Sequence, residues 1–397
     1  MEIWPEPGNL IDKAPITYCI DHTPEYLVDI SSIGLDIKLQ IKNVKAGEGA
    51  AARGAMPVFF TNNLISSLFS TAKVEFNNHV VEANYNLPMT SRLDHILTTS
   101  DEVTEECGQV QGTFPIKSDS PANTISAGFI GKNTTKERIK YTRGNIVHIR
   151  GPLPLDITSC VDWLVDGVNI KVQLEPNNAR FLLNKDSADE TCDPDYDIKS
   201  IKLLVTKYRP APAVNNTLSR QLLQNPIEYL SKRNMVYTDI IPANRIEHSV
   251  MRPFQSVIPN KLYIFFVEQE SVAGLYHKDP FYFESDIIDT IQASIDGVDI
   301  FTSDCSQSNV EVFSKSVEAH CGEYFIPFPQ YNGGGSFVIC IDTDFTSDQN
   351  SVRVEKHGSL ALAYRFKERT VKPLKMFIVG NVDSTFTVDH NREVLSS

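Results

Sequence analysis

Leu35-Asp-Ile-Lys-Leu-Gln-Ile-Lys42 alternates without a break between apolar and polar residues. On an extended chain, neighbouring side chains point to opposite faces. Leu35, Ile37, Leu39 and Ile41 therefore share one face, and Asp36, Lys38, Gln40 and Lys42 the other. That is the pattern of an antiparallel strand with one buried and one wet face. Similar runs occur at Ala72–Phe76, Val168–Leu174, Ile198–Val205, Tyr263–Val267, Ala293–Ile295, Ser336–Ile341, Leu360–Phe366 and Lys375–Val379. They are separated by Asn77-Asn78, Asp166-Gly167, Asp296-Gly297 and Asn332-Gly333, residues that tolerate positive φ and suit tight hairpins.

Helical spacing is scarce. It is expected over Pro57–Leu68 (Phe60, Leu64, Leu68) and over Thr217–Ser231 (Leu218, Leu222, Leu230), the second broken at Pro226. Many short strands with loops of varied length indicate β-sandwiches and not a βαβ fold. Strand–connector–strand units close both halves of the chain: Asp166–Leu174 with Ile198–Val205, and His357–Phe366 with Leu374–Val379. A hairpin precedes each, at Val74–Val81 and Ser294–Ile300, and Tyr208-Arg-Pro-Ala-Pro-Ala-Val214 lies between the halves. The expectation is two copies of one sandwich: residues 1–210, a linker with a short helix over 211–235, and residues 236–397.

The 397 residues, 41% hydrophobic and 22% charged, describe a globular chain with room for more than one core. Fifty acids against 37 bases give a net charge of -13 with no basic block, which disfavours direct binding of nucleic acid through its phosphates. No apolar run approaches a membrane span, and Met1-Glu-Ile-Trp-Pro lacks signal-peptide character, so synthesis in the cytosol is expected. On that basis the sequons at Asn133 and Asn215 read as chance. Seven cysteines without a Cys-x-x-Cys pair read as reduced thiols.

Several motifs imitate chemistry. Gly333-Gly-Gly-Ser336 lacks the Gly-Lys-Ser/Thr of a P-loop and runs into a strand instead of a helix. Asp342 and Asp344 could grip a cation but read as a strand end. Asp193-Pro-Asp-Tyr-Asp197 begins like a calcium loop, yet Ile198 and Leu204 stand where Gly and Glu are needed. His320 and Cys321 are adjacent, so on an extended chain they face apart. Cys107 follows Glu105-Glu106, whose charge disfavours a thiolate. No catalytic, cofactor or metal site is expected. The aromatic group Tyr276, Phe281, Tyr282 and Phe283, with Phe254, reads first as core and loop anchor and second as a subunit interface.

Phe59–Asn78, Gly151-Pro-Leu-Pro-Leu-Asp156, Leu164–Leu174, Gly274-Leu-Tyr-His-Lys-Asp-Pro-Phe-Tyr-Phe283, Ser294-Ile-Asp-Gly297 and Phe377–Val394, in this order, resemble the major capsid protein of Polinton (Maverick) elements and adintoviruses. The similarity runs over most of the chain. Asp279 stands where the family has Asn, Lys372-Pro373 falls in a strand connector, and the chain is short for the family. The resemblance implies an all-β double jelly roll with few short helices and no enzymatic activity. It further implies homotrimers that look six-sided, packed with neighbouring capsomers and penton or minor capsid proteins into an icosahedral virion shell, made in the host cytoplasm and assembled there or in the nucleus. Alternatives are a vertex protein with one jelly roll and, from a different class, a carbohydrate-binding β-sandwich.

Overall fold

The computed structural model describes residues 1–6, 14–42, 58–115, 123–125, 138, 146–186, 193–320, 324–343 and 356–396. In the first half, eight strands carry the architecture: β1 (Glu2–Ile3), β2 (Ile16–Ile20), β3 (Leu27–Lys42), β4 (Phe69–Phe76), β5 (His79–Asn84), β6 (Val147–Pro152), β7 (Ile170–Pro176) and β8 (Asp195–Tyr208). The second half repeats the set: β9 (Ile227–Ile241), β10 (Glu247–Met251), β11 (Lys261–Glu268), β12 (Ile288–Ile295), β13 (Val298–Asp304), β14 (Ile339–Asp342), β15 (Leu360–Phe366) and β16 (Leu374–Val388).

Their sheet orders are β1-β8-β3-β6 and β2-β7-β4-β5 in one half, β9-β16-β11-β14 and β10-β15-β12-β13 in the other. Counted from the first strand of its own half, each half therefore reads 1-8-3-6 and 2-7-4-5. The same antiparallel Greek-key sandwich, the jelly roll, is built twice.

The alternation at Leu35 fixes the inner face of the first sandwich. Leu35, Ile37 and Leu39 are fully buried opposite Leu203, Ile201 and Ile198 of β8, and their opposing sheet supplies Tyr18, Val74 and Val172. In the second sandwich, β11 is covered on both faces. Phe266 meets Tyr364 and Phe366 edge-on inside the sandwich, while Phe265 stacks on Phe283 at 4.4 Å. Asn77-Asn78 and Asp296-Gly297 turn their hairpins with positive φ at both positions, as two-residue loops of the right twist require.

Helices depart from expectation. Of the helix expected over Pro57–Leu68, only the turn Leu64–Ser67 forms; Phe59–Phe60 is a strand paired with Leu183–Asn184, and residue 57 lies outside the described residues. Asn62 explains this: its Oδ1 accepts from the Asn63 and Phe114 amides, which holds Asn63 in the left-handed region at φ 55°. The helix expected from Thr217 instead spans Pro212–Gln224 (α2), and the chain is extended again from Ile227. Leu87–Thr98 (α1) and Val310–Ala319 (α3) were not expected; α1 opens with Pro88 in its first turn and buries Leu93, Ile96 and Leu97.

The two halves are fastened by a ribbon. All fifteen residues of β9 pair with β16 in unbroken register. One end, with Ile241, Met376 and Phe377, lies in the core of the second sandwich. The other carries Tyr229, Phe386 and Val388 into the core of the first, where Phe386 stacks on Tyr229 at 4.7 Å and meets Phe76 at 5.4 Å.

Candidate functional site

The chemistry-like motifs resolve into scaffold. Gly333 and Gly335 adopt positive φ, and a Cβ on Gly334 would come within 2.6 Å of Gln330 Cα, so the run is a tight turn. It delivers Phe337, packed on Tyr331 at 4.7 Å, into the core ahead of β14. Asp342 closes β14 opposite Lys261; Asp344 lies outside the described residues.

Asp197 pairs with Lys42 at 2.9 Å and Lys199 at 2.6 Å, and hydrogen bonds from Lys199 and then Lys42 hold its carboxyl below the usual range. His320 lies 3.3 Å from the Tyr263 hydroxyl, and burial brings it down to about 4; Cys321 lies outside the described residues. Cys107 is exposed. Among the described residues, no three His, Cys, Asp or Glu side chains converge as metal ligands, and no helix is long and apolar enough to cross a membrane.

The aromatic group divides. Phe281 and Phe283 are fully buried, Phe281 edge-on to Phe181 and under the Arg92 guanidinium, Phe283 on Phe265. Asp279 Oδ1 accepts from the Phe281 amide, which sets the turn that aims both rings inward. Tyr276 and Tyr282 are half-buried. Tyr276 reaches the other half: its hydroxyl donates to Pro194 O at 2.7 Å, its carbonyl accepts from the Lys185 amide at 2.8 Å, and the Lys185 ammonium sits over its ring. Gly274, at φ 94°, lets this loop approach the Arg180–Phe181 backbone.

Among the recesses lined by the described residues, two contain acids shifted by burial. One, of about 410 Å³, contains Glu268, held by Lys278, by Lys372 at 2.8 Å and by Asn123 at 3.3 Å. Burial raises Glu268, but the two lysines outweigh it and the net direction is down. Neighbouring Glu284 is raised to about 7 by burial and by the charge of Glu268. The second recess, about 490 Å³, opens between the halves and is lined by Asp94, His95, Asp156, Lys232 and Asn234. Beside it Glu82 is buried, accepting from the Asp156 and Ile157 amides. Sequence reasoning did not single out this pair.

Several apolar side chains are exposed on the outside. Of α2, Leu222 alone is buried, and Val214 and Leu223 are exposed. Nearby, Trp163 stacks on Tyr208 at 4.6 Å, both substantially exposed, with Val161 beside them in sequence. Such aromatic and apolar exposure is characteristic of association surfaces.

A tandem pair of jelly rolls with these fastenings is the double jelly-roll fold. It is shared over the full chain with solved capsid structures. The chain is similar to a Sputnik virophage structure (TM-score 0.67, 13% identity, 100% of this chain and 88% of that one). It is likewise similar to the mavirus major capsid protein (TM-score 0.62, 12% identity, 100% and 89%) and the Faustovirus major capsid protein (TM-score 0.60, 8% identity, 97% and 89%). In sequence it is 20% identical over 225 residues to an uncharacterized protein of Caenorhabditis elegans, F54H12.2, and this match covers 56% of the chain and 51% of that protein. No family model matches.

Proposed function

We propose that this chain is a structural major capsid protein, the repeating tile of an icosahedral shell. The observation that carries the reading is the likeness to capsid proteins through both jelly rolls, covering all of this chain and nearly nine-tenths of the Sputnik and mavirus chains. Three copies place six similar sandwiches around one axis, so a trimer can pave a facet as a pseudo-hexagon. The mechanism is assembly: burial of apolar surface within the trimer, then weaker polar contacts between trimers that permit correction. Two jelly rolls in tandem disfavour the vertex-protein alternative, which needs one.

More narrowly, we propose the Polinton–adintovirus lineage, supported by the ordered motifs from Phe59 to Val394, with penton proteins as partners and the virion as destination. Of the aromatic group, Tyr276 and Tyr282 keep rims that a neighbouring copy could cover. The test is light scattering and negative-stain microscopy of the purified chain. Six-sided particles of three times 44.5 kDa, or closed shells, are expected. A monomer that stays dispersed at high concentration would overturn the reading.

A further inference from the structure

The middle of the ribbon is tied to the first half by a relay of carboxyl groups. Glu82 Oε1 accepts from the Asp156 amide at 3.0 Å and Oε2 from the Ile157 amide at 2.8 Å, which fixes the helical turn Asp156–Ser159. Asp156 then grips β9: Oδ2 accepts from the Asn234 amide at 2.6 Å and Oδ1 from Asn234 Nδ2 at 2.7 Å. Asn234 Oδ1 accepts in turn from Asn381 Nδ2 on β16, at 3.2 Å. The Asn234 amide points away from β16, on the open side of an edge strand, so Asp156 occupies a place where another strand would pair.

We propose that Glu82 and Asp156 form a proton-operated clasp between the two halves, closed while one of the two carboxyls is protonated and loosened when both are charged.

The charged groups around the pair support this. Glu82 faces Asp156 and, beyond it, Arg233; Asp156 also faces Asp94, and Asp94 faces Lys232. Arg233 and Lys232 are exposed, so water weakens their compensation. Charges on adjoining elements are engaged elsewhere: Glu75 with Lys73 and Lys171, Arg392 with Asp166, Asp36 with His148. His95 lies against the Thr104 hydroxyl, and burial brings it down to about 3, so it stays neutral.

Burial, then the charge of Asp156, raises Glu82 to about 8 despite the two amide bonds; burial raises Asp156 to about 6. Opening the junction to water returns both to the ordinary carboxylate range, so the closed form binds more protons than the open one. The clasp is therefore strongest in mild acid and weakens as pH rises towards about 8.

Hydrogen exchange of the full chain at pH 6 and pH 8.5, corrected for the intrinsic rate, tests this. Protection of residues 156–159 and 228–240 should fall several-fold more than that of β15. In Glu82→Gln the difference between the two pH values should vanish. In Arg233→Gln, on the exposed rim, the loss at pH 8.5 should deepen. Equal loss in all segments, no loss in the wild type, a loss that persists in Glu82→Gln, or an Arg233→Gln profile identical to the wild type would each overturn the clasp. The readout comes from the chain itself, so it is separate from whether shells form.

Discussion

Glu82 is buried because of one extra residue. Strand β5 pairs with β4 as Phe76↔His79 and Glu75↔Val80, but then as Val74↔Glu82, leaving Val81 without a partner. A bulge of this kind inverts the alternation beyond it. Glu82 and Asn84 consequently share the inner face with Val74 and Ala72, while Val80 is turned outward. No spacing rule applied to His79-Val-Val-Glu-Ala-Asn84 would place the glutamate inside, and for this reason the clasp was not legible in the sequence. The aromatic group was legible as a group, because aromatics dominate buried area, but not in its division into two core rings and two half-buried ones. Tyr276 is the informative member. Tyr276→Phe removes the hydroxyl's hydrogen bond to Pro194 O between the halves, together with its interactions with Asp193 and Arg180, and should cost about 1 kcal/mol in denaturant unfolding. An unchanged midpoint would show that the bond adds nothing to holding the loop.

Among the elements, those with strict period-two patterning or a continuous apolar run were readable directly: β3 by alternation, and Tyr263–Val267 within β11, both of whose faces are covered. The helices were not, since α1 and α3 owe their place to burial against the sandwiches and carry only short apolar stripes. Nor was the reach of β16 visible, because its distal Phe386-Thr-Val388 looks like any strand end. The structure places Phe386 in the core of the first sandwich, between Phe76 and Tyr229, some three hundred residues from β4. Phe386→Ala should therefore cost about 3–5 kcal/mol, and hydrogen exchange should find the loss in β4 and β5 as well as in β16. Loss confined to β16 would mean that the ribbon's end is only lightly docked. Helix α2 is the opposite case. Its single buried side chain, Leu222, enters the core of the first sandwich, so Leu222→Ala should release the helix to rapid exchange and cost the first sandwich about 2–5 kcal/mol, while the melting of the second stays nearly unchanged.

For the molecule as a whole, charge sets the terms of assembly. Each chain carries a net charge of -13, and the proposed trimer would carry three times that, so neighbouring copies would repel over the Debye length, which is about 30 Å at 0.01 M salt and about 8 Å at 0.15 M. If the proposed trimer buries exposed apolar side chains such as Val214, Leu223 and the Trp163–Tyr208 stack, those contacts would depend little on screening, whereas polar contacts between trimers would depend on it strongly. The two steps should therefore separate with ionic strength. At low salt, light scattering should find discrete trimers, and raising the salt to about 0.15 M should drive them into sheets or shells without changing the trimer fraction. Replacing Trp163 and Leu223 together by Ser should have the reverse effect, reducing the trimer fraction at every salt concentration while each monomer keeps its unfolding midpoint. If added salt instead dissolved the larger assemblies, the contacts between tiles would be attractive ion pairs, and the acidic surface would be arranged for adhesion and not for repulsion.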